Sequence, residues 1–485
     1  MTRQHANDGP SALLPSSRAA HDRIPPEALV SFMTESWEAR PRTAVTPIPG
    51  AAVYRARRED VSRRFSGLLV VIPSGSVRTR SADAKFRFRP STEFIYLVGE
   101  GEPDEVLVMQ PRSDGGHRIR LYVEPETDFS RPDFFTDRTK GELWVGPRRG
   151  LAATYTRFGL EASPLPDLGA VIDTHPAGVV LRGLDSRVDE FARHLTGPDQ
   201  DLQIHLSEMR LVKDDLDVEL LQDAIDLTEQ AFEDVVRALP QCQTERDVEV
   251  AFFQRARSQG NDTGYSTIAA AGAHATTLHW RHNSGRLRPG ELLLLDAGVE
   301  TDRYYTADIT RTLPINGRFT PAQRAIYTLV WQAQQAGIAA VKPGADFLAP
   351  NRAAQEVLAK GLERLGVLPV TAQESLRPES QLHQRYTLHG VSHMLGLDVH
   401  DCAHARQEHY TDGRLTQGMV LTVEPGLYFQ PNDATVPSEL RGIGVRIEDD
   451  VLVTSGGCKV LSAAIPTHPD AIEAWMRPTG APQHG

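Results

Sequence analysis

Short apolar runs alternate with polar turns between residues 68 and 123. Leu68 to Ile72, Glu93 to Leu97, Glu105 to Met109 and Ile119 to Val123 each have strand length and are read as strands. Ser113-Asp114-Gly115-Gly116 supplies hairpin turn chemistry between the last two. The period changes after Gly197-Pro198-Asp199-Gln200, a polar stretch read as a linker. Beyond it, Leu220, Leu221, Ala224, Ile225, Ala231, Phe232, Val235 and Leu239 recur at helical spacing and predict one long helix. Thr244 predicts the cap of a second helix, carrying Val248, Ala251 and Phe252 and stopping at Gly260. Thr320-Pro321 opens a third that ends before Pro343-Gly344. Residues 1–45 show neither period and are read as a mobile extension. The expected fold is therefore α/β (α+β), with a mixed-sheet α/β domain over residues 46–200 and a larger domain over 201–485.

Composition narrows the function. The 485 residues carry a formal charge of -12, with no concentration of Lys and Arg that would track a phosphate backbone, so nucleic acid is excluded as an expected partner. Cys242, Cys402 and Cys458 form no CxxC pair and suggest neither a disulfide framework nor a zinc knuckle. The polar, proline-bearing N-terminus is unlike a signal peptide, and no long apolar run follows. The expectation is a cytoplasmic protein without membrane partners.

The chemistry-bearing residues lie at strand ends. Leu292 to Leu295 runs into Asp296-Ala297-Gly298, and the alternating segment Tyr304 to Thr312 carries Asp308. A hairpin centred on Asp302 would set Asp296 directly opposite Asp308. Two like charges so placed are destabilising unless a cation lies between them. The pattern recurs where Val420 to Val423 leads into Glu424-Pro425-Gly426, with Val445-Arg446-Ile447-Glu448 as a second strand. This repetition suggests two similar halves facing one site. Singly, each acid reads as a solvated or capping group; together with His393, the four acids make a hard, mostly oxygen ligand set. It suits a pair of manganese, magnesium, cobalt, iron or zinc ions, and paired ions roughly 3.5–4 Å apart activate water for hydrolysis. His389 lies four residues before His393, but Gly390 between them weakens a helical clamp, and only His393 is taken as a ligand.

Asp296-Ala297-Gly298, Asp308-Ile309-Thr310-Arg311-Thr312, His389-Gly390-Val391-Ser392-His393, Leu395 to Asp401, Val423-Glu424-Pro425-Gly426 and Gly442 to Asp449 together resemble the Xaa-Pro aminopeptidases (aminopeptidase P) of the pita-bread metallopeptidases. The resemblance spans residues 210 to 465, and Phe86-Arg87-Phe88-Arg89 through Val108 resembles the family's N-terminal domain. It implies a C-terminal pita-bread catalytic domain of two similar halves. It further implies two divalent ions, manganese first and cobalt, zinc or iron as alternatives. Asp308 and Glu448 would bridge the ions, His393 and Glu424 would bind one, and Asp296 the other. His279, His389 and His400 would contact substrate, with His400 donating to the oxyanion and Glu424 carrying a proton to the leaving nitrogen. Arg446 and Tyr428 would hold Asp296 from behind. The implied substrate is a peptide with a free N-terminus and proline second, and the implied assembly is a homo-oligomer, a dimer or a tetramer.

Eleven residues separate Asp296 from Asp308, one more than the family's usual spacing, so the turn near Asp302 is expected to absorb an insertion. Ile95 stands where many relatives carry tryptophan. Two other readings remain: a prolidase restricted to Xaa-Pro dipeptides, and a metal-free pita-bread binding module, which the complete ligand set disfavours.

Overall fold

Leu69, Val71, Val106, Val108 and Tyr122 meet Leu168, Ile172 and Val188 in the core of a five-stranded sheet. Its order is Glu161–Pro164, His117–Val123, Val106–Pro111, Leu69–Pro73 and Gly178–Val180. The three inner strands are antiparallel and each outer strand joins its neighbour in parallel, so the sheet is mixed. The computed structural model describes residues 25–38, 44–113 and 115–477. This sheet belongs to the first of two units, which divide between Asp199 and Gln200.

The first unit departs from the sequence reading in one place. Residues Glu93 to Leu97, expected as a strand, lie in the helix Thr92–Val98. The Ser91 hydroxyl accepts from the Phe94 N–H, and Gly99, at φ 101, ends the helix in the left-handed region. Phe94 to Val98 are all buried, so this helix has no polar face and its sequence shows no helical period. The stretch read as an extension is described in part. Residues 1–24 and 39–43 fall outside the described residues, but Glu27–Met33 is helical and Trp37 stacks on Phe129 with ring centroids 4.4 Å apart. None of that helix is buried, which explains why no apolar period announced it. The expected hairpin turn closes through Arg112 N–H to Gly116 O at 2.8 Å, although Asp114 lies outside the described residues.

In the second unit a helix that the sequence reading did not anticipate, Asp199–Met209, precedes the long helix Asp215–Ala238. The latter starts in a reciprocal capping box, Asp214 with Asp217, and Thr244 with Asp247 does the same for Glu245–Gln259. Thr320 caps Pro321–Ala340, with Pro321 at the first turn where no N–H is needed. That helix packs on Ala349–Arg364, and Ile326, Val330, Leu358 and Leu362 share one core with Leu421, Val423, Val445 and Val451. Burying each such side chain contributes about 1.5–3 kcal/mol, so the strands that end in acids are anchored by helices outside the site.

The first acid hairpin pairs Leu292–Ala297 with Ile309–Pro314, and Asp296 faces Thr310 rather than Asp308. The expected centre is shifted by one residue: the turn closes through Thr301 N–H to Tyr305 O at 2.9 Å, with Tyr304 at φ 67 in its third position. Moving the partner by two residues preserves the side-chain face, so Asp296 and Asp308 still point the same way. Gly298 is required where the strand leaves the ladder: a Cβ there would lie 1.7 Å from the Ala307 carbonyl oxygen. The second hairpin pairs Val420–Val423 with Asp449–Val453 and Gly426–Tyr428 with Gly444–Arg446 in one continuous register. Across the break between the two ladders that register sets Glu424 opposite Glu448, the cross-strand pairing of acids that was expected of the first hairpin.

Candidate metal centre

Asp308, His393 and Glu448 each offer a ligand atom within 4.8 Å of the other two. His393 Nε2 lies 3.2 Å from Asp308 Oδ2 and 3.4 Å from Glu424 Oε1. On the other side, the Tyr265 hydroxyl is 2.7 Å from Asp296 Oδ1 and 2.5 Å from Asp308 Oδ1. One hydroxyl proton can serve only one of two carboxylates. All five residues expected as metal ligands are therefore brought together, from both acid hairpins and the loop containing His393.

The surrounding groups do not neutralise this cluster. Arg446 donates to Asp296 Oδ2 at 2.5 Å and to Tyr428 at 2.9 Å, and Thr310 donates to Glu448 Oε2 at 2.6 Å. Glu448 Oε1 is buried without a hydrogen-bond partner, and so is Asp450 Oδ1 just behind it. An orphaned carboxylate oxygen in this position costs free energy unless a cation satisfies it. Four inward carboxylates, one imidazole and one guanidinium fit hard divalent ions.

Protonation follows from the same crowding. Burial pushes the Asp296 carboxyl up to about 6, with Arg446 opposing and Asp308 adding to the rise. Burial, then Asp308, Glu424 and Asp296, drive Glu448 well above the usual carboxylate range. Burial also raises Glu424, but its contacts with His393, His389 and Arg446 outweigh this and hold it at about 2. Burial disfavours the charged form of His393, yet Asp308 and Glu424 keep it protonated well above the ordinary histidine range. Cation binding must displace protons from His393 and the raised carboxyls, so affinity should fall as pH drops, first with His393 and Glu448 and further near about 6, where Asp296 takes up its proton. Titrating manganese into metal-free protein in two buffers of different ionisation enthalpy should reveal net proton release, and release near zero at pH 7 would contradict these protonation states.

The three remaining histidines gather nearby. His389 Nδ1 donates to Gly390 O at 2.9 Å, leaving Nε2 to accept from the Tyr428 hydroxyl at 2.9 Å. Asp296, Arg446, Tyr428 and His389 thus form one hydrogen-bonded chain. Arg446 holds Asp296 as expected, but Tyr428 reaches it only through Arg446. The exposed His400 ring stands edge-on to His393 at 4.4 Å. Desolvation, followed by Arg281 and Arg446, lowers the pKa of the exposed His279, while desolvation and His393 lower that of His400. Burial lowers that of His389 despite Glu424. All three therefore favour the neutral form, able to donate or accept.

Tyr265, Thr310, Thr422 and Asp450 were not anticipated. Thr310 shares the alternating face of Asp308, and the Asp449-Asp450 doublet adjoins Glu448, so both had a positional signal. Thr422 likewise lies two residues before Glu424; its hydroxyl accepts from the His393 N–H at 3.1 Å. Tyr265 had no such signal, because it lies outside every periodic segment.

Two family profiles match the chain: Metallopeptidase family M24 over residues 219–455, and Aminopeptidase P, N-terminal domain over residues 54–177. The chain is 48% identical over 455 residues to Xaa-Pro aminopeptidase 1 of Streptomyces coelicolor, spanning 93% of this chain and 92% of that protein. It is 32% identical over 450 residues to the Xaa-Pro aminopeptidase of Escherichia coli, spanning 86% and 98% of the two. Among solved structures it is similar to E. coli aminopeptidase P with the inhibitor Pro-Leu, at TM-score 0.79 and 29% identity over 89% of this chain and 99% of that one. The zinc-substituted E. coli enzyme in complex with product gives TM-score 0.79 and 31% identity over the same shares.

Proposed function

Since this chain belongs to metallopeptidase family M24 and is a metallo-aminopeptidase that removes the residue preceding proline, we propose specific roles for the residues of its metal centre. The family works with divalent metal ions; the proposal is two of them, manganese by preference, held by Asp296, Asp308, His393, Glu424 and Glu448. Asp308 and Glu448 would serve both ions, with His393 and Glu424 holding one and Asp296 the other. The observation that supports this best is the partnerless buried Glu448 Oε1 beside Asp308 and His393. Bound ions would acidify a water and polarise the scissile carbonyl.

The protein's own groups do the rest. Glu424, whose Oε1 lies 3.4 Å from His393 Nε2, is placed to take a proton and pass it to the leaving nitrogen once metal binding has removed the His393 proton that holds its carboxyl low. The neutral His400 ring, beside His393, is suited to donate to the oxyanion, and His279 and His389 to orient the peptide. The proposed organisation is an aminopeptidase P-like domain over residues 46–200 and a catalytic domain over 201–485, supported by the division at Asp199 and by the two profile ranges. A homo-oligomer belongs to the same reading, supported by the exposed Leu143, Trp144 and Val145 of the first unit. No described helix is long and apolar enough to cross a membrane; a cytoplasmic location remains part of the proposal.

Substrate length separates this activity from a dipeptidase. The manganese-loaded protein should release the first residue from Xaa-Pro-Xaa tripeptides and longer chains, and N-acetylated or non-proline analogues should be cut far more slowly. Cleavage of Xaa-Pro dipeptides with intact tripeptides would instead identify a prolidase; a rate independent of acetylation would exclude recognition of the free amino terminus.

A further inference from the structure

We propose that Asp401, clamped between Arg210 and Lys213, is a positioning residue that fixes the His400 imidazole beside the metal ligands. The inference rests on the reading of His400 as a substrate-facing group. His400 is exposed, while Asp401 and Cys402 immediately after it are 1% and 0% exposed. The chain turns inward there through Cys402 at φ 63, a left-handed conformation that a side chain with a Cβ adopts only when its surroundings enforce it.

Those surroundings are ionic. Arg210 Nε lies 2.9 Å from Asp401 Oδ1, and Lys213 Nζ lies 3.1 Å from Asp401 Oδ2, with all three side chains buried. Cys402 N–H donates to Asp401 Oδ1 at 2.8 Å, and Asp401 N–H donates to Met394 O at 3.0 Å. Lys213 Nζ also donates to Arg210 O at 2.6 Å, closing the cluster. Gly396 makes room for it, since a Cβ there would lie 2.2 Å from Asp401 Oδ2. One residue before the end of helix Asp199–Met209, Glu208 pairs with Arg406 at 2.7 Å, pinning the far side of the same loop.

Buried ion pairs are weak sources of stability compared with apolar packing. What two cations and a shared carboxylate do supply is a fixed direction. Helix Asp199–Met209 and its exit thereby hold the loop from Met394 to Arg406, so that the His400 imidazole on it is presented at a set position against His393. Partners that orient a metal ligand from behind typically matter about 10–100-fold in activity, and the same order is expected for a group that orients a substrate-facing imidazole.

A double-mutant cycle on the full-length, manganese-loaded protein tests this. Lys213→Met leaves a neutral Asp401–Arg210 pair. It is expected to lower kcat for an Xaa-Pro-Xaa tripeptide by about 10–100-fold, with KM and metal content held. In the His400→Ala background the same substitution should change kcat by less than about twofold, because its route of action is gone. Equal losses in both backgrounds, or no loss with His400 present, would overturn the inference. No effect of His400→Ala alone would overturn the reading of His400 and this inference with it. If Lys213→Met melts the protein, Arg210→Lys, which keeps the charge but not the Nε contact, carries the same cycle with the same pattern expected.

Discussion

Asp308→Asn should abolish hydrolysis while the protein stays folded. The amide keeps the shape of the carboxylate and can still meet the Tyr265 hydroxyl, now 2.5 Å from Asp308 Oδ1. What it loses is the charge shared with His393 and Glu448 at the centre of the cluster. In the proposed bridging position Asp308 would serve both ions, so the loss in kcat/KM should exceed the roughly hundredfold seen when an outer partner of a ligand is removed. Without metal the same change should move the melting temperature little, because it relieves the like-charge repulsion of Asp308 on Glu448, Asp450 and Asp296 but also loses the ion pair with protonated His393 at 3.2 Å. Wild-type turnover with full metal content would remove Asp308 from the bridging role. A large fall in metal-free stability would show that its charge serves the fold.

Arg446→Met should damage both stability and activity. The guanidinium contacts Asp296, Tyr428 and Thr310 at 2.5, 2.9 and 3.2 Å, and it is the only cation hydrogen-bonded to Asp296 among the described residues. Removing one partner of a buried pair costs about 3–5 kcal/mol, since the other charge is left without compensation. Asp296 would then rise further above its value of about 6 and hold its proton against a metal ion. Tyr428 would lose the donor that orients its hydroxyl toward His389. Arg446→Lys should recover much of the stability but not the turnover, because an ammonium cannot fork to all three partners. Denaturant unfolding of the metal-free proteins, beside kcat and KM of the loaded ones, separates the two effects. Unchanged stability of Arg446→Met would mean that Asp296 is neutral or solvated.

Caps and periods carried much of the fold in the sequence. Thr244, Gly260, Thr320 and Pro321 mark helix ends because each satisfies or avoids an unpaired backbone group, a local matter that tertiary structure does not alter. Phe94 to Leu97 misled for the opposite reason: a helix buried on every side has no amphipathic stripe, and only Ser91 and Gly99 at its ends distinguished it from a strand. The first hairpin's register is one residue off the expected centre, with a left-handed Tyr304 in its turn where the sequence offers no glycine or asparagine to mark that conformation. The candidate ligands were legible because acids at strand ends recur in two places and their motifs resemble a known family. Tyr265 was not, since a tyrosine gains its role only from the two carboxylates that folding brings against its hydroxyl.

The assembly of one site from two hairpins also bears on how the protein is made. Asp296 and Asp308 leave the ribosome long before His393, Glu424 and Glu448 exist, and at about 5–20 residues per second the interval from Asp296 to Glu448 is roughly 8–30 s. During that time the first hairpin can offer a passing cation only two carboxylates and no imidazole. Metal capture is thus deferred until both halves are present, and a nascent chain holds no finished peptidase beside the other polypeptides emerging around it.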